Sequence, residues 1–359
     1  MACATVRNVP VMLTRFCSGS TLISFTSRPG PHRPVSGGQP PPRAIYSRKM
    51  DSVSSAAGLE GVLRVADEVA EALSSGHPVV ALETTLVSHG FSQGRGLLAA
   101  QQAEQRVRAA GAVPCAVGIA DGLVRAGLDA AELQRFAEAG TTARKAGARD
   151  IAACVAQGVL GATTVGGTLA VCRVLGIRFM GTGGIGGVHR GFAESLDISS
   201  DLVELARTPA MVVCSGAKAI LDISATAELL ETLSVPVLGW RTDTLPVFYR
   251  GEGGPPVAAR VDGVADAARI AALHWQLGRS SGLLLGRPPQ PELDIEPVLA
   301  EAVGRVAQAG VTGQAVTPAV LALVEELTGG RSVAVNQQLI ADNAALAAEV
   351  AVAYGAVAR

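Results

Sequence analysis

The chain has 359 residues, of which 48% are hydrophobic and 17% are charged, and its formal net charge is −1. This composition excludes a disordered or fibrous protein and allows a large buried core. The near-neutral charge lacks the basic surface that nucleic-acid-binding proteins need, and no run of 18 apolar residues suggests a membrane span. We therefore expect neither a nucleic-acid nor a membrane partner.

The first fifty residues differ in composition from the rest of the chain. They are rich in Pro and Ser, contain six Arg and one Lys, and contain no Asp or Glu. This pattern predicts a disordered basic tail over 1–50 that is typical of a mitochondrial transit peptide. The alternative is a basic tail with no targeting role, which would leave the protein cytoplasmic. Residues 51–359 are then expected to form a single catalytic domain.

Past residue 50, helical periodicity alternates with short, continuous apolar runs. In chain order the predicted elements are helix 59–74, strand 78–82, helix 96–110, strand 113–119, helix 130–139, helix 167–175, strand 177–181, helix 200–207, strand 210–214, helix 226–233, strand 235–239, helix 264–277, strand 282–285 and helices 295–309, 318–328 and 336–354. This order predicts an α/β fold with a mainly parallel central sheet covered by helices on both faces.

Polar residues follow three of these strands directly. Glu83 follows strand 78–82, Thr182 follows strand 177–181, and Lys218 comes shortly after strand 210–214. Ligands of open parallel sheets bind beyond the carboxyl ends of the strands, so these residues predict a site at that edge. A partly buried carboxylate such as Glu83 suits proton transfer. The alternative for Glu83 is a helix cap or an ion-paired acid.

A glycine-rich segment, GTGGIGG, occupies 181–187 and formally contains the G-x-G-x-x-G pattern of dinucleotide-binding enzymes. That pattern requires a helix to begin at the glycines, so that its N-terminus faces the pyrophosphate. No apolar helical stripe begins there. We therefore favour a loop whose backbone contacts a ligand closely, and keep a nicotinamide oxidoreductase and a plain tight turn as alternatives.

The turn at 197–201 reads DISSD and places Asp197, Ser199 and Asp201 on one side. Oxygen ligands of this kind suit a hard divalent cation such as Mn²⁺ or Mg²⁺. The alternative is that Ser199 caps the helix predicted over 200–207.

Two lysines are candidates for binding or covalent chemistry. Lys218 lies among small and apolar residues, where a lowered pKa would make its amine a nucleophile able to form a Schiff base. Lys145, with Arg149, is a candidate for binding a phosphate. The alternative for both lysines is an ordinary solvated side chain.

The six cysteines are far apart and no C-x-x-C or H-x-x-x-H spacing occurs. We therefore expect reduced core cysteines and neither disulfides nor a His/Cys metal site.

Taken together, the motifs resemble the pseudouridine-5'-phosphate glycosidase family over about residues 60–355. No single segment is decisive, and the resemblance rests on their order and spacing. The segments are 78–90 (PVVALETTLVSHG), 161–165 (GATTV), 181–191 (GTGGIGGVHRG), 197–201 (DISSD) and 214–222 (CSGAKAILD).

The resemblance implies reversible cleavage of the carbon–carbon glycosidic bond of pseudouridine 5'-phosphate into uracil and ribose 5-phosphate. It implies that Glu83 donates protons and that Lys218 forms a Schiff base with the sugar. It also implies a homotrimer and a site for Mn²⁺ or another divalent cation at Asp197. The positions that match substrate-binding residues of the family are Lys145, Val165, Ser199, Ser200 and Asp201.

The chain departs from the family pattern at three places. The loop 91–96 reads FSQGRG where a Pro- and Asn-containing loop is usual, and Gln314 and Ala334 replace common lysines. These departures leave open an alternative function, a catalytically silent protein that binds nucleotides or sugar phosphates.

Overall fold

The computed structural model describes residues 59–91, 94–311 and 316–357, so the predicted tail 1–50 lies outside the described residues. The described residues belong to one compact unit. Its strands are β1 (Leu63–Val65), β2 (Val79–Glu83), β3 (Val113–Ala120), β4 (Leu123–Ala126), β5 (Arg144–Ala146), β6 (Gly161–Thr163), β7 (Phe179–Gly181), β8 (Val188–His189), β9 (Met211–Cys214), β10 (Leu221–Asp222), β11 (Val237–Trp240), β12 (Ala259–Val261) and β13 (Leu283–Gly286).

The helices alternate with these strands along the chain. They are α1 (Asp67–Ser75), α2 (Thr85–His89), α3 (Arg95–Ala109), α4 (Ala130–Ala139), α5 (Ile151–Gln157), α6 (Val165–Leu175), α7 (Phe192–Ser195), α8 (Asp201–Arg207), α9 (Ile223–Thr232), α10 (Val264–Gln276), α11 (Glu296–Gln308), α12 (Val316–Leu327) and α13 (Arg331–Val357). All the predicted strands and all but the first predicted helix coincide with observed elements, apart from shifts of a few residues at their ends.

The main sheet has the strand order β1-β4-β3-β2-β7-β9-β13-β11-β12, with β6 pairing with both β3 and β5. Its pairs are parallel except that β4 and β6 run antiparallel to β3. The central strands are buried along their whole length, as continuous apolar runs require when helices cover both faces. The predicted fold class is therefore confirmed.

The prediction of a helix over 59–74 is wrong in its first half. Leu63–Val65 forms β1, which pairs in parallel with β4, and α1 begins only at Asp67. Ala66, between them, has an extended backbone. The helical spacing of the early apolar residues did not determine the structure, because pairing with a strand distant in sequence decided it.

The long helix α13 packs across β2, β7 and β9 and against α3 and α10. Gly181 makes this contact possible, since a Cβ atom there would lie 2.7 Å from the Ala344 Cα atom. By length and composition α13 could cross a bilayer, but half of its most apolar stretch is buried inside the protein, as in a core helix. The described cysteines, Cys115, Cys154, Cys172 and Cys214, are buried and unbonded, as expected of core residues, and Cys3 and Cys17 lie outside the described residues.

Because β2, β7 and β9 are parallel neighbours, their carboxyl ends lie side by side. The residues that follow them, Glu83 at the end of β2, Thr182 after β7 and Ser215 after β9, therefore meet at one edge of the sheet.

Candidate active site

Glu83 ends β2 with only 5% of its surface exposed. The Thr182 hydroxyl donates a hydrogen bond to its Oε1 atom at 2.5 Å. Burial raises the pKa of the Glu83 carboxyl, although the nearby Lys218 ammonium and the Thr182 hydrogen bond act in the opposite direction. A carboxyl in this environment keeps a proton at higher pH than an exposed glutamate, which suits a proton donor.

Lys218 is held in place through its backbone. Its N–H group donates to the Ile185 carbonyl at 3.0 Å, and the Ile185 N–H group donates to the Gly216 carbonyl at 3.0 Å. The glycine-rich loop after β7 and the turn after β9 are thereby joined as a short ladder. This ladder fixes the base of the Lys218 side chain at the edge where Glu83 lies.

Lys145, on β5, is the second amine of the site. Burial and the neighbouring Lys218 ammonium lower the pKa of Lys145, while Asp201, Glu83 and Asp197 oppose that shift. The structure therefore brings together five charged groups from four separate segments of the sequence. Arg149 is mostly exposed and lies 3.6 Å from Asp150, at the rim of the same site.

The lysine count is a signal that sequence reasoning missed. The whole chain contains three lysines, Lys49, Lys145 and Lys218, against 27 arginines among its 30 basic residues. Surface cations are thus supplied by arginine, and the two lysines that the structure describes both lie in the site. An amine has chemistry that a guanidinium lacks, because it can lose its proton and act as a nucleophile.

Asp201 organises the loops around the site. Its carboxylate is buried and accepts the N–H groups of Gly166 at 2.7 Å and Gly186 at 2.8 Å, one with each oxygen. Gly186 allows this packing, since a Cβ atom there would lie 2.3 Å from the Ser199 hydroxyl. With both oxygens engaged, Asp201 positions the backbone of the site, and direct substrate binding by its side chain stays a prediction.

The glycine-rich loop leads into β8 at Val188–His189 rather than into a helix. The first helix after it, α7, has only four residues. Without a helix N-terminus to face a pyrophosphate, the dinucleotide-binding alternative is wrong.

The turn 197–201 lies open to the cavity. The side chain of Asp197 is 42% exposed, and its Oδ2 atom lies 3.9 Å from the His189 Nδ1 atom. The Ser199 hydroxyl accepts the Asp201 N–H group at 3.2 Å, but the N-cap residue of α8 is Ser200, whose side chain makes no capping hydrogen bond. Within 59–91, 94–311 and 316–357, no group of three or more His, Cys, Asp or Glu residues is placed to hold a metal. A cation at Asp197 would therefore take few ligands from the described protein, and the metal site stays a prediction.

Val165 begins α6, and its side chain is fully buried. The preceding residue, Thr164, caps the helix by accepting the Gly167 N–H group at 3.1 Å. Thr164 lines the same cavity as the turn 197–201. Val165 has no exposed surface of its own, so its contact with a substrate stays a prediction.

The site has two arms, which meet at Lys145 and Lys218. The polar arm, of about 620 Å³, is lined by residues including Arg149, Thr164, Asp197, Ser199 and Ser200. The apolar arm is narrower, about 60 Å³, and its walls include Leu86, Phe91, Phe248, Leu321 and Ile340. Glu83 lines the apolar arm close to the junction.

Two polar residues of the apolar arm were missed by the sequence analysis. In the part of the chain that the structure describes, the buried Asn336 Oδ1 and His89 Nε2 atoms have no hydrogen-bond partner. Their neighbour Asn343 donates its amide to the Thr182 carbonyl at 2.9 Å and to the Ser215 hydroxyl at 3.2 Å, although its Oδ1 atom is also buried without a partner among the described residues. The unpaired Asn336 and His89 atoms have almost no accessible surface, so they lie behind the cavity wall and do not face its interior.

A buried carboxyl beside two amines, at the carboxyl edge of a parallel sheet, defines an α/β enzyme active site.

Residues 68–353 match the protein family described as Indigoidine synthase A like protein. The chain is 46% identical over 304 residues to a pseudouridine-5'-phosphate glycosidase from Chloroflexus aurantiacus, covering 81% of this chain and 98% of that protein. The corresponding Escherichia coli protein, a pseudouridine-5'-phosphate glycosidase, is 41% identical over 298 residues, with 82% and 96% covered.

Solved structures agree with these matches. The prealnumycin C-glycosynthase AlnA, in complex with ribulose 5-phosphate, superposes with a TM-score of 0.75 at 40% identity over 83% of this chain and 98% of that one. An indigoidine synthase A-like protein from Thermotoga maritima superposes with a TM-score of 0.72 at 33% identity over 83% and 97%. The chain belongs to the pseudouridine-5'-phosphate glycosidase family.

These relatives include proteins from several bacteria, which have no mitochondria. Their similarity therefore gives no support to a mitochondrial address for this chain. The transit peptide lies in residues outside the described ranges and stays a prediction from composition.

Proposed function

We propose that this protein reversibly cleaves the carbon–carbon glycosidic bond of pseudouridine 5'-phosphate, giving uracil and ribose 5-phosphate, through a Schiff base on Lys218. The observation that carries the proposal is the position of Lys218 at the junction of the two arms, beside the buried Glu83 carboxyl. A bond between a flat base and a sugar phosphate would lie at that junction.

The two arms suit the two halves of this substrate. The polar arm offers amine, guanidinium and hydroxyl groups, from Lys145, Arg149, Ser199 and Ser200, to the sugar hydroxyls and the phosphate. The apolar arm offers flat and aliphatic side chains to the two faces of the uracil ring. With both halves in place, the C1' atom of the sugar faces Lys218.

The chemistry uses Lys218 as nucleophile and Glu83 as acid. The neutral Lys218 amine bonds to C1' as the C1'–O4' bond breaks, and Glu83 protonates O4' and takes back the proton that the nitrogen gives up. The nitrogen lone pair then forms a C=N bond as the C1'–C5 bond breaks, and C5 of uracil takes a proton from Glu83. Water hydrolyses the C=N bond, which releases ribose 5-phosphate and restores the amine. A carbon leaving group needs this assistance, since the usual protonation of a departing heteroatom is not available.

Asp197 would hold Mn²⁺ or another divalent cation as part of this proposal. The site offers one exposed carboxylate with hydroxyl groups near it, a set of hard oxygen donors. The bound cation would supply positive charge for substrate oxygens. A homotrimer is the assembly that the family resemblance implies, and the mass of the protein in solution tests it.

Uracil release tests the proposal. The protein incubated with pseudouridine 5'-phosphate and Mn²⁺ should release uracil, measured by chromatography. If no divalent cation supports release while calorimetry shows that the substrate binds, the catalytically silent alternative is favoured.

Borohydride trapping tests the Schiff base. Reduction in the presence of substrate should add the sugar phosphate to Lys218, and the scarcity of lysine leaves few other amines to examine by mass spectrometry. Lys218→Ala should give no adduct, whereas Lys145→Ala, the matched control, should still give one. An undiminished adduct in Lys218→Ala would disprove the role of that residue.

The mitochondrial address of residues 1–50 belongs to the proposal on composition alone. A fluorescent reporter fused to this segment should enter mitochondria, and a reporter that stays in the cytosol would end the idea.

A further inference from the structure

Thr182 is held through its backbone on two sides. Its N–H group donates to the Val213 carbonyl at 3.0 Å, which continues the pairing of β7 with β9, and its carbonyl accepts the Asn343 amide of α13 at 2.9 Å. The residue is almost fully buried, and a β-branched side chain has few rotamers available. The Thr182 hydroxyl group therefore has a fixed position before any substrate enters the site.

This hydroxyl group meets the Glu83 carboxyl because β2 and β7 are parallel neighbours, with Leu82 opposite Gly181. It donates to the Glu83 Oε1 atom at 2.5 Å, and Oε1 is the only acceptor that it has among the residues that the structure describes. A protonated carboxyl has one carbonyl oxygen and one hydroxyl oxygen. Since Oε1 accepts the Thr182 proton, Oε1 is the carbonyl oxygen and the transferable proton of Glu83 is on Oε2.

The Oε2 atom is the free oxygen of this carboxyl. Within 59–91, 94–311 and 316–357 it makes no hydrogen bond, yet it keeps accessible surface, unlike the unpaired atoms of His89 and Asn336. Glu83 lines the apolar arm close to its junction with the polar arm, so this surface opens into the cavity. The oxygen that carries the transferable proton is thus the one that a ligand can reach.

We propose that Thr182 is a positioning residue that restricts Glu83 to a single reacting oxygen, Oε2, for every proton that the reaction moves. This inference rests on the proposed function, in which Glu83 protonates O4', takes back a proton from the Lys218 nitrogen and then protonates C5 of uracil. All three transfers use the same oxygen, so the carboxyl does not rotate between steps. A carboxyl held in one orientation reacts faster than one that divides its proton between two oxygens.

Thr182 also affects how strongly the carboxyl holds its proton. Burial raises the pKa of Glu83, and the Lys218 ammonium and the Thr182 hydrogen bond act against that rise. The other charged groups that face the carboxyl are Asp201, which raises the pKa, and Lys145, which lowers it. These charged groups stay in place when Thr182 is replaced, so loss of the hydroxyl should raise the pKa of Glu83 further.

Two substitutions of Thr182 separate its donor from its shape. Thr182→Val keeps the shape and removes the donor, so kcat for cleavage should fall about ten- to a hundredfold while KM changes less than about twofold. Thr182→Ser keeps the donor and should recover most of kcat, whereas a purely packing role predicts that valine is the better substitute. Thr208→Val is the matched control, because Thr208 is equally buried, and its hydroxyl bonds to Arg173 and Leu169 outside both arms.

Melting temperatures across pH test the same contact without any activity. The wild-type protein should lose stability relative to Glu83→Gln as pH rises from 4.5 through the raised pKa, and in Thr182→Val this loss should continue to higher pH. The reference for Thr182→Val is the double variant with Glu83→Gln. An unchanged pH window, wild-type kcat in Thr182→Val, or equal impairment in Thr182→Ser would overturn the inference. Failure of the proposed function is distinct, since the wild-type protein would then release no uracil while the melting temperatures still report on Thr182 and Glu83.

Discussion

The two arms of the site differ in how their polar groups are satisfied. In the polar arm, internal hydrogen bonds hold the wall in place, as when the Asp201 carboxylate takes the N–H groups of Gly166 and Gly186. In the apolar arm, Asn336 and His89 keep enclosed acceptors that no described group meets. The wall of the polar arm is thus held by paired groups, whereas two buried acceptors beside the apolar arm stay unpaired in the described protein. Changes in the two arms should have different consequences, for stability in the first and for ligand affinity in the second.

The largest effect is expected where the arms meet. Glu83→Gln keeps the shape of the side chain but removes its transferable proton, so kcat should fall about 10²- to 10⁴-fold while both KM values change little. Steady-state kinetics in both directions measure this. Glu228→Gln, at an exposed position, is the control and should leave kcat unchanged. A kcat near the wild-type value in Glu83→Gln would remove Glu83 from the chemistry.

The same substitution should change the pH dependence of stability. The folded Glu83 carboxyl binds its proton more tightly than an unfolded one, because burial raises its pKa above 4.5. The wild-type protein therefore loses stability as pH rises from 4.5 through the raised pKa, and Glu83→Gln does not. Melting temperatures across this window should show the variant gaining on the wild type with pH. A constant difference would contradict the raised pKa.

Substitutions in the polar arm should lower the stability of the folded protein. Asp201→Asn leaves one of the two backbone N–H groups facing an amide donor, which should lower the free energy of unfolding by about 2 kcal/mol. Denaturant unfolding measures this. Asp243→Asn is the control, since Asp243 is exposed in its 3.3 Å ion pair with Arg260 and should cost well under about 1 kcal/mol. Equal losses of unfolding free energy in the two variants would mean that the buried Asp201 contacts stabilise the fold no more than an exposed ion pair does.

Substitutions in the apolar arm should lower the affinity for uracil. Asn336→Ala removes a side chain that lines this arm and whose Oδ1 atom has no partner in the described protein, so stability should change little while the KM for uracil rises about tenfold. Gln338→Ala, at an exposed position of the same helix, should leave that KM unchanged. If Asn336→Ala instead weakens ribose 5-phosphate, the assignment of the two arms is reversed.

The smallest effect is expected at the rim. Arg95 joins Glu325 of α12 at 2.6 Å, and the Arg95 side chain is 40% exposed. Such pairs contribute less than about 1 kcal/mol, so Arg95→Ala should raise the KM for uracil about twofold at most, and less in high salt. Arg135→Ala, in the exposed pair with Asp121, is the control for loss of a surface charge. A tenfold rise would show that the pair holds α12 over the base.

Secondary structure elements that depend on local sequence pattern were predicted correctly. Helix α4 has its predicted bounds, because Asp129 and Glu132 form a capping box that marks its start. Strand β1 was missed, since three residues form a strand there only by pairing with β4. A short strand that forms only by pairing with a strand distant in sequence has no pattern in its own residues that predicts it.

The residues of the site show the same difference. Some could be predicted from local sequence pattern, and others depend on contacts between distant segments. Glu83 and Lys218 could be predicted because each comes at or shortly after the end of a buried strand. His89 and Asn336 could not be paired from sequence, since 247 positions separate them and only the packing of α13 on the sheet brings both to one cavity. The rarity of lysine adds to the sequence evidence for Lys145 and Lys218, although it does not distinguish them from Lys49.

Helix α13 also has a consequence for synthesis on the ribosome. The chain emerges from its N-terminus, so β2, β7 and β9 are made long before the helix that covers them. Until translation reaches that helix, Thr182 and Ser215 lack the Asn343 amide and the apolar arm lacks one wall. The nascent protein is therefore inactive until it is almost complete. Until then, its apolar strands are not covered by the helix that buries them in the folded protein. A premature stop codon before residue 331 should yield an aggregation-prone product with no activity.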